Sequence, residues 1–229
     1  VNATIDDLRI IKALILASAR WGKDDFAGFA RELSRPLLEH NVAGAYLRAY
    51  DSPASPPAPY SYYDFKAMEL MAEFDERWAE IAEAGKERIL AKQVTGLPLY
   101  RANPNHDGGG FSTIENLLVL LHLSEVGEKD PQSLNWLKEE LRKGGLFGSY
   151  SITGEPLNKV ESPAIYGITA IIASLHHDQE LYRLAIEKLK AMQHLERGEY
   201  FGGFIDMNSL SAYSFDQLFA LLAYSLGNE

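Results

Sequence analysis

Apolar positions recur at helical spacing along almost the whole chain. From Asp6, Leu8, Ile10, Ile11, Leu14, Ile15 and Ala17 follow that period, with Asp6 as the expected N-cap. The segment is apolar around most of its circumference, which predicts burial on several sides. From Asp24 to about Glu39 the pattern turns amphipathic, with Phe26, Phe29, Leu33 and Leu37 on one face. The same pairing then repeats. Apolar helices are expected to start near Asp6, Tyr63, Thr113, Ser162 and Ser214. More polar helices are expected near Asp24, Asp75, Pro131 and Asp178.

An acidic residue stands near each apolar start: Asp7, Asp64, Glu115, Glu161 and Asp216. Their spacings are 57, 51, 46 and 55 residues, about 52 on average. This is a helical-hairpin repeat in period and pattern. Short loops join each apolar helix to its polar partner. Long loops rich in Gly, Pro and aromatics lead to the next apolar helix. Buried helices alternating with amphipathic ones predict an all-α fold in two concentric layers, an (α/α)6 toroid. With about five inner and four outer helices the toroid is incomplete. The expected organisation is a single domain over residues 1–229, lacking its N-terminal hairpin and a further outer helix. The start at Val1, without methionine, agrees with a truncated N-terminus. An incomplete toroid exposes an apolar seam, so a retained N-terminal fragment or a dimer partner is expected to cover it.

Composition then narrows the chemistry. The 229 residues carry a net charge of −10, which disfavours a general phosphate binder. No window approaches the roughly 18 apolar residues of a membrane span. The absence of cysteine excludes disulfides, thiolate catalysis and cysteine zinc sites. The six histidines form no H-E-x-x-H, and there is no G-x-S-x-G, so neither a metal nor a cofactor is expected. Carboxylates remain. In a toroid the long loops emerge at one end, beside the inner-helix N-termini, where aromatics and carboxylates suit a sugar polymer. Asp6, Asp64, Glu115 and Asp216 are candidates to bind sugar hydroxyls, or else to cap helices. Tyr62, Tyr63, Tyr150 and Tyr213 are candidate stacking platforms.

The first helix carries a resemblance to a known family. Glycoside hydrolase family 8 has the segment A-[ST]-D-[AG]-D-x-x-[IM]-A-x-[SA]-aliphatic-aliphatic-x-A-x-x-x-W. Here Ala3, Thr4, Asp7, Ile10, Ala13, Leu14, Ile15, Ala17 and Trp21 match in register, while Ile5, Asp6 and Ile11 depart from it. The chain resembles the C-terminal two-thirds of that family. The resemblance implies inverting hydrolysis of an extracellular β-linked polysaccharide, with Asp7 in the active site, and a bacterial protein that is secreted or on the cell surface. It also implies a general-acid glutamate N-terminal to Ala3. The family's base aspartate falls on Pro163, which leaves Glu161 or Asp107 to serve as base. Two alternatives stay open: a non-catalytic glycan-binding remnant, and another toroid enzyme such as a polysaccharide lyase or unsaturated-uronide hydrolase.

Overall fold

The computed structural model describes residues 2–93, 97, 99–100, 110–205 and 211–228. Nine α-helices lie among them: α1 Thr4–Trp21, α2 Asp24–His40, α3 Phe65–Met71, α4 Arg77–Leu90, α5 Thr113–Glu125, α6 Pro131–Lys143, α7 Pro163–Leu175, α8 Gln179–Ala191 and α9 Ser214–Ser225. The five apolar and four polar segments read from the periodicity are all present. The contacts gather in two compact units. The first holds residues 2–93 and 100. The second holds 97, 99, 110–205 and 211–228.

In the first unit α1 packs on α2 and on α3, and α3 packs on α4. A two-residue hairpin, β1 Val42–Ala43 and β2 Tyr46–Leu47, turns through Gly44 at φ 60°. Trp78 anchors α4 to α2, fully buried, with its Nε1 donating to Ser34 Oγ at 3.0 Å. Helix α1 starts two residues before the expected cap. Ala3 is the N-cap and offers no side-chain bond, so Asp6 and Asp7 both lie in the first turn, where they complement the helix dipole. Burial of α1 is also narrower than its sequence predicts. Leu8 and Ile11 face the core, where α1 packs on α2 and α3, but Ile10 and Leu16 remain about half exposed.

In the second unit α7 packs against α5, α8 and α9, and α6 packs against α8. The apolar helices thus neighbour one another and the polar ones line up outside them. Every residue from Asn116 to Ser124 of α5 and from Ala164 to Ala173 of α7 is buried. A short ladder, β3 Phe111–Ser112 with β4 Ser149–Tyr150, pairs Phe111 with Tyr150 ahead of α5. Gly167 lets α7 approach α9 closely. A Cβ there would lie 2.9 Å from the carbonyl carbon and oxygen of Phe219, which are backbone atoms. We therefore expect Gly167→Val to destabilise the protein by about 1–3 kcal/mol through overpacking. A lower urea midpoint with an unchanged slope would register it.

Candidate functional site

The N-terminus of α1 is held by a strap of backbone pairing. Thr4 N donates to Ala49 O at 3.0 Å, and Ala3 bridges to Tyr50. Thr4 Oγ1 donates to Arg48 O at 2.5 Å and accepts from the buried Asn41 Nδ2 at 2.8 Å. The strap continues into the proline-rich loop. Tyr50 N donates to Ser55 Oγ at 3.0 Å, and the Arg48 guanidinium donates to Ser52 O at 2.9 Å. These bonds bring Asp51 beside the first turn of α1, although 44 residues separate it from Asp7.

A groove of about 240 Å³ opens there. Its polar lining is Asn2, Asp7, His40, Asn41 and Asp51, over an apolar wall of Ile10, Leu33, Pro36 and Leu37. Asn2 spans the two carboxylates. Its backbone N–H donates to Asp51 Oδ1 at 3.3 Å and its side-chain Nδ2 donates to Asp7 Oδ1 at 3.3 Å. Burial pushes the Asp7 carboxyl above its ordinary 3.8. The Asn2 amide opposes that shift, while the charges of Asp6 and Asp51 add to it. Asp6 is exposed on the same turn. A half-buried carboxylate over an apolar wall is suited to a neutral polyhydroxylated ligand, whose hydroxyls it can accept and whose C–H faces the wall can meet.

The other candidates sit elsewhere. Asp64 is fully buried. It caps α3 by accepting from Ala67 N at 2.9 Å, and Lys12 Nζ lies 3.1 and 3.0 Å from its two oxygens. Tyr63 is in the core of the first unit rather than on an open platform. Its hydroxyl accepts from Leu47 N at 3.2 Å and its ring lies against Gly85. Tyr62 is half-buried.

In the second unit Tyr150 is likewise buried, edge-on to Trp136 with ring centres 5.0 Å apart. Its hydroxyl accepts from Phe147 N at 3.1 Å, and burial pushes it up to about 12. Tyr213 is exposed, directly before α9. Glu115 lies half-buried in the first turn of α5, where its N–H donates to Ser112 Oγ at 3.4 Å. Asp216 reaches across from α9 to accept from Ala164 N at 2.9 Å, and burial raises its carboxyl. Glu161 accepts from the buried Tyr166 hydroxyl, and Lys188 Nζ stands 3.9 Å away. The backbone at Gly145 closes over this pair, since a Cβ there would lie 2.5 Å from Glu161 Oε1. Asp107 lies outside the described residues. A second groove, of about 560 Å³, is lined by His177, Asp178 and Tyr182 among others and holds none of the candidates.

Asn2, His40 and Asp51 were not among the candidates read from the sequence. Helical periodicity carries no signal for Asp51, because the Ala3–Tyr50 backbone bridge, not a helix face, brings it to Asp7, while His40 arrives at the end of α2, which packs on α1.

Comparison with known proteins gives the site its setting. No protein-family profile matches the chain. A novel α-amylase from Clostridium perfringens is 33% identical in a structural alignment covering 99% of this chain and 72% of that one, with a TM-score of 0.93. The Putative lipoprotein YdaJ of Bacillus subtilis (strain 168) is 30% identical over 97% of this chain, which spans 64% of that protein's length. Endoglucanase Cel10 of Klebsiella pneumoniae, a family 8 glycosyl hydrolase, aligns over 98% of this chain and 72% of its own at 17% identity, with a TM-score of 0.60. The all-α fold of the α/α-toroid class expected from the periodicity is therefore the fold observed.

Proposed function

This chain belongs to the family of the Clostridium perfringens protein and has the family 8 glycoside hydrolase fold, and from that premise we propose that the whole protein hydrolyses a polysaccharide at its glycosidic bonds. The observation that carries the reading is the groove at the start of α1. There Asp7, on the one segment with a family 8 signature, stands half-buried over an apolar wall. Asp7 binds the sugar at the cleavage position and helps to orient the attacking water. The reaction proceeds with inversion, which needs acid and base carboxyls about 6.5–9.5 Å apart to admit that water. In the family that the α1 segment resembles, the acid is a glutamate on an earlier inner helix. Asp107 is the stronger choice for the base, because Glu161 is already engaged by Tyr166 and Lys188. Asp6, exposed on the same turn as Asp7, contributes to saccharide binding. Asp64, Tyr63, Tyr150 and Asp216 serve the fold.

The linkage has two readings. The family 8 signature in α1 favours a β-linked chain such as cellulose, xylan or chitosan. The likeness to an α-amylase favours an α-linked glucan. Reducing-sugar release by the full-length protein from a panel of both kinds decides between them, with the anomer of the first product read by NMR. Binding without any release would make it a non-catalytic glycan-binding protein. Release of unsaturated uronides would make it a lyase.

The proposed compartment is extracellular or cell-surface, which the name of the Bacillus relative supports. No helix among the described residues is long and apolar enough to cross a membrane. Ile10 and Leu16 of α1, and Leu218, Leu221 and Leu222 of α9, are exposed. That supports coverage of these two helices by further polypeptide, either a retained N-terminal fragment or a second copy.

A further inference from the structure

We propose that Asp51 is a positioning residue for Asp7 and that it acts through Asn2, an inference that rests on the reading of Asp7 as the sugar-binding carboxylate. The connection is a single residue wide. Asn2 gives its backbone N–H to Asp51 Oδ1 and its side-chain amide to Asp7 Oδ1, each at 3.3 Å. Asp7 Oδ2 has no hydrogen-bond partner among the described residues, so the bond from Asn2 fixes one oxygen and leaves the other for a ligand.

Asn2 precedes α1 and has no helical bonds of its own to hold it. Asp51, by contrast, sits on a backbone anchored on both sides: by the Ala3–Tyr50 bridge before it and by the Arg48 bond to Ser52 after it. The fixed carboxylate therefore holds the Asn2 backbone in place, and from that backbone the side-chain amide reaches Asp7. Without the amide, two carboxylates at one groove would only repel. With it, the repulsion is offset by a hydrogen bond to the charged form. Three titratable groups face Asp7: Asp6 from its own helix, Asp51 from the loop, and His40 from the end of α2, which lines the same groove.

Charge and geometry pull in opposite directions, and substitutions at Asp51 separate them. Asp51→Asn keeps an oxygen to accept from Asn2 but removes the charge. Asp51→Ala removes both. The readout is the titration of the Asp7 carboxyl carbon by NMR in full-length protein carrying carboxyl-labelled aspartate. We expect Asn2→Ala to raise its midpoint and Asp51→Asn to lower it. Asp51→Ala should titrate above Asp51→Asn, and the Asn2→Ala/Asp51→Ala double variant should titrate with Asp51→Ala alone, since the second change removes a bond already lost. An Asp51→Ala midpoint at or below that of Asp51→Asn, or a double variant showing two independent shifts, overturns the proposal. The titration needs no activity. Should Asp7→Asn hydrolyse polysaccharide like the wild type, the reading of Asp7 fails while the titrations still decide the relay.

Discussion

Asp7→Asn is expected to reduce polysaccharide hydrolysis by the full-length protein on the order of 10²–10³-fold in kcat, the scale on which removing one preorganised electrostatic group from an active site is felt. Glycosidic cleavage passes through an oxocarbenium-like state that carries positive charge at the sugar ring. A carboxylate beside the ring stabilises that charge, and the isosteric amide does not. The side chain stands partly desolvated over Ile10, Leu33 and Leu37, where the loss of a charge is felt more than in open water. Asparagine preserves volume, so the fold should melt unchanged. Hydrolysis within about threefold of wild type, at an equal melting temperature, would remove Asp7 from the mechanism. The pH dependence carries a sign. Burial raises the Asp7 carboxyl above its ordinary 3.8, and the ionised form is the active one. Activity should therefore fall as the pH drops through that raised value, and the acid limb should move to lower pH when the Asp7 environment is made more polar.

Asp64→Ala should act on stability instead. The side chain is fully buried, bridged by Lys12 through both oxygens, and it caps α3 through Ala67 N. Removing the carboxylate breaks a largely buried ion pair, at a cost of about 3–5 kcal/mol. Loss of the cap adds about 1 kcal/mol, and α3, Phe65–Met71, is too short to persist on its own propensity. At about 2–4 °C per kcal/mol for a chain of this size, the melting temperature should drop by roughly 10 °C or more. Asp64→Asn retains an oxygen for the cap and should lose less. Activity per folded molecule, measured well below the transition, should hold. Its collapse with the melting temperature intact would return Asp64 to the sugar site.

These two aspartates show where sequence reading works and where it stops. Both stand near the start of an apolar helix at one period, and pattern treats them alike. Whether the carboxylate turns outward or inward depends on what is packed over it. At Asp7 that is a groove wall; at Asp64 it is a lysine from a helix 52 residues away. The helices themselves are legible because the 3.6-residue period is enforced by burial along their whole length, and all nine appear where the apolar and polar segments alternate. The tyrosines are less so. An aromatic in a long loop can stack on a sugar or close the core, and the hydroxyls of Tyr63 and Tyr150 are committed to Leu47 N and Phe147 N. Asp51 was invisible for another reason: the strap that delivers it pairs Ala3 with Tyr50, a contact that no local period encodes.

The bond between Asp216 and Ala164 bears on how the second unit is made. At the start of α7, Pro163 has no N–H to satisfy, and Ile165 N is capped by Ser162 Oγ. The donor of Ala164 is met by a carboxylate 52 residues later in the chain. During synthesis at about 5–20 residues per second, that partner arrives some 3–10 s after α7 itself. Until then the most apolar helix of the protein has an open first turn and no α9 against the face at Gly167. Through that interval the apolar face of α7 at Gly167 stays uncovered, and the last helix of the unit acts as the latch that closes it.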